Sequence, residues 1–301
     1  MSNIRTFAEQ RSVVRQSRHN RSVSTSPLLH VDRPGSRQRL RRLQAYVERN
    51  LLGEGNFRCT DLRACRASRD RRAGHVFLEG TMSHVGRSFD LTRGDKPFRI
   101  VVIGQEADGQ RVTMADRYRH VHDGSGIDCR YYADATHKAR NPHMRGTTSA
   151  LRLLFGHGLG SDYEGEWVYP ANGKPFHIFD GFALVNRLLC FAGPANSRQG
   201  RATQTMVGNC SRHLAATLEI LEPTILVMQG KSVRAWTESV MTPGRVYSPN
   251  LSEGFLGDRR VLVCSFSHPS ARGELRWGAS LNASYLTDIV RPTLRSALRR
   301  A

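Results

Sequence analysis

Apolar positions in this chain fall into two kinds of run. Short continuous ones, such as IVVI at Ile100–Ile103, ILVM at Ile225–Met228 and VLVCSF at Val261–Phe266, are each cut off by a glycine turn or by His-Pro. Runs this short, rich in β-branched residues and bounded by turn formers, predict strands buried on both faces. Longer segments place leucines and aromatics at helical spacing: SRQRLRRLQAYVERNLLGEG from a cap-like Ser36, TTSALRLLFGHGLG, CSRHLAATLEILEP, and the basic amphipathic SYLTDIVRPTLRSALRR at the C-terminus. HVFLEG reads as a short strand, and PFHIFDGFALVNRLLC supplies a further apolar segment. Strands alternating with helical patterns predict an α/β domain, a three-layer αβα arrangement around a mostly parallel sheet of four to five strands.

The chain has 301 residues, enough for one full core, and shows no internal repeat. Residues 1–34 are rich in Arg and Ser and poor in acids, and are expected to form a disordered basic tail ahead of a single domain over 35–301. Such a tail can hold a phosphate backbone loosely, resembles an organellar transit peptide in composition, or is simply solvated. The formal net charge of +19 exceeds what solubility needs and predicts a polyanionic partner, nucleic acid first and anionic membrane second. No stretch has the length and apolarity of a membrane span, and the N-terminus lacks a charged segment followed by an apolar one. An intracellular, reducing location is therefore expected, with the six cysteines acting as ligands or core residues rather than disulfides.

Three segments that end strands carry chemistry: GQEADG at Gly104–Gly109, Asn186 in ALVNRLLC, and His268 in SHPS. Each has a plain reading, as an exposed turn carboxylate, a backbone-capping amide and a strand terminator. Parallel strands, however, bring their carboxyl ends to one edge, where open α/β sheets bind ligands. In this order, with EPTILVMQGKS between the second and third, the segments resemble the uracil-DNA glycosylase superfamily over about residues 36–298. The resemblance is closest to the iron-sulfur branch, with a divergent first motif. Aligned on Gly104, GQEADG resembles GQDPYHG; aligned on its end, it resembles EAPG. Both registers select Glu106 as the carboxylate, and the first also places Gln105 in the base pocket.

The resemblance implies a glycosylase acting as a monomer on uracil in single- or double-stranded DNA, in base-excision repair. Glu106 would face the cationic sugar and orient water, and neutral His268 would donate to the departing base. Asn186 suits uracil, because an amide can meet N3–H and O4 together. His143, in ARNPHMRGTTSAL, falls where the family stacks an aromatic on the flipped base. The loop ARGELRWG would meet DNA through Ser270, Arg272, Leu275 and Arg276, with Leu275 or Arg272 as a wedge. Cys59, Cys65, Cys190 and Cys210 would hold a [4Fe–4S] cluster, although five residues separate the first two where the family has two. Zinc on the same thiolates, or no metal, are the alternatives. Cys129 and Cys264 are assigned no ligand role, and His120 and His122 read as polar surface. SDYEGEWVYPANGKP and the histidine-bearing segment look like insertions. Within the same fold, the rival functions are excision of hypoxanthine or xanthine and base trapping or binding without catalysis.

Overall fold

The computed structural model describes residues 28–53, 56–69, 71–79, 83–105, 133–195, 197 and 200–301. Seven strands form the main sheet: β1 (His84–Val85), β2 (Ile100–Gly104), β3 (Phe182–Asn186), β4 (Ile225–Gln229), β5 (Thr242–Ser248), β6 (Leu251–Leu256) and β7 (Arg259–Phe266). Their order is β5-β6-β7-β4-β2-β3-β1. The middle four run parallel, whereas β5, β6 and β1 are antiparallel additions. The expected mostly parallel sheet of four to five strands is thus corrected to a mixed sheet of seven. The extra width comes from turns after β5 and β6, at Pro249–Asn250 and at Gly257–Asp258, where Gly257 has φ +59°. Only glycine takes that left-handed conformation at no steric cost, and the turn folds β6 back on β7.

Side chains alternate across the sheet as strand geometry requires. Ile100 and Val102 pack with Phe182, Val227 and Cys264 beneath α3 (Pro142–Leu154) and α6 (Arg291–Arg300), α5 being the short helix Lys231–Thr237 after β4. Val101 and Ile103 pack with Val185, Met228 and Val263 beneath α1 (Arg33–Asn50) and α4 (Gln204–Leu221). Every residue of β2 is buried, which is why that run shows no polar alternation.

Local chemistry sets the helix starts. α1 begins three residues ahead of the expected Ser36, because Asp32 is the cap and its carboxylate accepts from the Gly35 N–H at 2.9 Å. Upstream, Leu29–Val31 pairs antiparallel with Leu91–Arg93, so residues 29–34 belong to the folded part and not to a tail. α3 likewise starts earlier than TTSALRLL suggests: Asn141 caps it through the Met144 N–H at 2.9 Å and Pro142 opens its first turn. That shift puts His143 in the first turn of a helix. Beside the sheet, His75–Glu79 pairs antiparallel with Cys190–Pro194, and α2 (Leu62–Ser68) packs on α4. Among the described residues, no helix is long and apolar enough to cross a membrane.

Candidate active site

The parallel strands end together. Register pairs Asn186 with Gly104 across β3 and β2, and Gln229 with Phe266 across β4 and β7, two residues before His268. The chain then turns over the edge, with the Arg187 N–H donating to the Gly104 carbonyl at 2.9 Å and the Leu188 N–H to the Gln105 carbonyl at 2.8 Å. Gly104 has no side chain for a steric reason. A Cβ there would lie 3.2 Å from Asn186 Oδ1 and 3.7 Å from His143 Cε1, so the amide and an imidazole both close on this backbone position. His143 in turn stacks on His268, with ring centroids 5.4 Å apart and planes 19° from parallel. Four of the residues expected at the site are therefore neighbours: Asn186, His143 and His268 by these contacts, and Gln105 by sequence from Gly104.

The two histidines are held by close packing between α3 and the His-Pro-Ser loop. A Cβ on Gly146 would sit 2.7 Å from Pro269 Cβ, and Gly278 leaves no room for a side chain against the Pro142 carbonyl. Arg145 Nε donates to the Gly278 carbonyl at 2.9 Å. Beyond the histidine, the loop is anchored on buried groups. Trp277, fully buried, donates from Nε1 to the Ser267 carbonyl at 2.7 Å, and Ser267 Oγ donates to the Leu275 carbonyl at 2.7 Å. Between these anchors Arg272, Leu275 and Arg276 are exposed. Leu275 is 41% exposed, while its carbonyl is held by Ser267 Oγ and the Trp277 N–H.

Electrostatics favour neutral rings. The Ser270 N–H donates to His268 Nδ1 at 3.1 Å, which leaves the ring proton on Nε2, and burial pushes the pKa of this histidine down. Burial, with the neighbouring His268 ring, pushes His143 down to about 3. His143 Nδ1 is covered and has no hydrogen-bond partner. On β4, fully buried Gln229 donates from Nε2 to Thr147 Oγ1 at 3.0 Å while its Oε1 is unpaired. Ser232 Oγ donates to Gln105 Oε1 at 3.1 Å. Glu106 lies outside the described residues, as do Cys129, His120 and His122.

A second cluster begins one residue past Asn186. Cys65, Cys190 and Cys210 are buried in one apolar pocket, with Cys59 packed against it. They come from α2, the Cys190–Pro194 strand, α4 and the loop before α2. Burial pushes the Cys190 thiol far up and Cys210 up to about 11, and in each case nearby Cys59 and Cys65 add to the rise. The Asn209 amide donates to Cys65 Sγ at 3.3 Å, and His213 Nε2 lies 3.6 Å from Cys59 Sγ. Among the described residues no group of three or more His, Cys, Asp or Glu is close enough to hold a single metal ion.

Buried Arg187 enters the same region. Its Nη2 donates to Ser211 Oγ at 2.8 Å and to the Val207 carbonyl at 3.1 Å, while Nε and Nη1 are buried without a partner. Burial lowers its pKa, and a Cys210 thiolate opposes that shift. Cys210 is the cysteine whose charge bears on this guanidinium, and four cysteines gathered in one place are the ligand type that an iron-sulfur cluster takes.

Sequence reasoning missed Arg187, Gln229, Ser232 and Trp277. Arg187 had a signal, a cation inside the apolar run ALVNRLLC, and Gln229 had one too, a polar end to TILVMQ. Ser232 and Trp277 had none. The chain matches no protein-family model, and no curated protein is similar to it in sequence.

Proposed function

We propose that this chain is a DNA glycosylase that hydrolyses the N-glycosidic bond of uracil in DNA, on a three-layer αβα scaffold of the uracil-DNA glycosylase kind. The observation that carries the reading is the meeting of Asn186, His143 and His268 around a glycine at the carboxyl edge of the parallel strands. Breaking this bond puts negative charge on the departing base. Catalysis therefore needs a fixed donor that is not already spent. His268 supplies one, since its Nδ1 accepts from the Ser270 N–H and its Nε2 carries a proton. Asn186 offers a donor and an acceptor on one amide, the complement of the uracil edge, and a cytosine would leave both unpaired.

His143, held neutral, provides a flat uncharged face for a base turned out of the helix. Glu106, the residue after Gln105 in sequence, is assigned the sugar-facing carboxylate. Exposed Leu275, flanked by Arg272 and Arg276, fits a wedge with phosphate contacts on both sides, with Ser270 nearby. Cys59, Cys65, Cys190 and Cys210 would hold a [4Fe–4S] cluster, which when bound supplies a covalent staple and compensating negative charge next to Arg187. The protein is read as an intracellular monomer in base-excision repair.

The test is alkaline strand cleavage on oligonucleotides carrying one uracil, hypoxanthine, xanthine or mismatched thymine, with Glu106→Ala and His268→Ala beside the wild type. Cleavage at uracil that both variants lose supports the assignment. Cleavage only at hypoxanthine or xanthine moves the substrate, and tight binding with no cleavage anywhere makes the protein a binding or base-trapping module.

A further inference from the structure

A groove of about 480 Å³ opens on α2, lined by Arg63, Arg66, Arg69 and Arg71 with Leu62 and Ala67. None of the four arginines is ion-paired to a carboxylate among the described residues. Arg63 and Arg71 are exposed. Arg66 lies over the Phe77 ring at 5.7 Å, and Arg69 donates from Nη1 to the Arg66 carbonyl at 2.8 Å while its Nε is buried without a partner. Several arginines elsewhere do meet carboxylates: Arg39 meets Asp90 and Glu222, Arg140 meets Glu166, and Arg212 meets Asp61. Four arginines lining one open groove suit an anion with several charges at fixed spacing.

Topology says which edge the groove borders. Parallel strands β3 and β4 are joined through α4, so the N-terminus of α4 lies at the carboxyl edge and its C-terminus at the amino edge. α2 attaches at that N-terminal end: Ser68 Oγ and the cap Thr203 Oγ1 are 2.7 Å apart, and Asn209 bonds Cys65. The groove therefore flanks the same edge as Gly104, Asn186 and His268. We infer that it is a second phosphate-binding surface, which holds the backbone of the strand whose base enters the crevice. The identity of that strand as DNA rests on the function proposed above. Because α2 also carries Cys65, the grip of the groove depends on the cysteine pocket being intact.

The probe is an undamaged single-stranded oligonucleotide, so binding is read without excision. Its affinity is measured against salt concentration for wild type, for the triple variant Arg63→Gln/Arg66→Gln/Arg71→Gln, and for a charge-matched control, Arg295→Gln/Arg299→Gln/Arg300→Gln at the end of α6. Three lost contacts at about 0.7 each should reduce the log–log salt slope by about 2. The control should change it by much less, and the three-lysine version of the groove should keep the wild-type slope. Equal losses in groove and control variants would mean general charge attraction and would overturn the inference. So would a groove that binds inorganic tripolyphosphate while its variants leave the oligonucleotide slope unchanged. Uracil excision by the same wild-type protein is followed in parallel. A slope change without excision removes the proposed reaction and keeps the groove, and excision with an unchanged slope does the reverse.

Discussion

The strand-end cluster of Asn186, His143 and His268 and the cysteine cluster meet at one peptide step, Asn186 to Arg187, and their electrostatics run in opposite directions. At the strand ends, register and burial fix the side chains. His268 has its tautomer set by a backbone N–H, His143 is held neutral, and register brings Asn186 beside Gly104. In the pocket, burial pushes Cys65, Cys190 and Cys210 toward the thiol form and leaves two nitrogens of Arg187 unpaired. One region is organised by the ladder of a parallel sheet. The other is gathered from four separate segments, and its sulfurs lie in an apolar surrounding that disfavours the thiolate.

The sharpest way to break that contrast is Arg187→Met. If the guanidinium is compensated by anionic sulfur ligation, the variant should destabilise the anaerobically purified protein by about 3–5 kcal/mol, the cost of breaking a buried charge pair. It should leave the chelator-treated, oxidised protein unchanged or more stable, and thermal unfolding of the four samples decides. Within the crevice, His268→Ala should slow uracil excision by about 10²–10³, as expected for losing one fixed donor to a developing anion. Single-turnover kinetics report it.

The pH dependence of stability distinguishes the regions next. A histidine whose folded pKa is about 3 and whose unfolded value is near 6.5 takes up its proton more readily when unfolded, so stability falls as the pH drops from 6.5 toward 3. Over the first 1.5 units this amounts to about 2 kcal/mol. His143→Phe should remove that part of the slope in urea titrations at pH 6.5 and 5 while keeping a ring to stack. Gly104→Ala is a smaller perturbation. Its methyl would displace the Asn186 amide by a few tenths of an ångström, and we expect about a tenfold loss of excision with little change in melting temperature. The smallest effect on the fold is that of Leu275→Ala, within about 0.5 kcal/mol. Its excision rate should fall on duplex uracil and hold on single strands.

What the sequence made legible follows the same division. The buried strands at Ile100–Gly104, Phe182–Asn186, Ile225–Gln229 and Val261–Phe266 announce themselves by unbroken apolar runs, and parallel pairing then fixes which ends meet. Asn186 and His268 were readable for that reason, whereas His143, on a helix, was placed only by the resemblance of ARNPHMRGTTSAL. The antiparallel β5–β6 hairpin was not, because TPGRVYSPN is mostly exposed and carries almost no apolar signal. The start of α3 was written in Asn141–Pro142, a cap and first-turn pair that the leucine spacing downstream overshadowed. Long-range partners left the least trace. Nothing local to Arg187 says that it will lie near Cys210, and nothing in Arg63–Arg71 separates a groove from a solvated charge run.

The most direct test of the central claim is release of the free base. Wild-type protein incubated with a single-stranded oligonucleotide holding one uracil, and resolved by chromatography, should yield free uracil. Asn186→Ala and His268→Ala should yield little, and cytosine in the same position should stay attached. Undiminished uracil release by both variants, or none from the wild type with its cysteine site filled, would contradict the account.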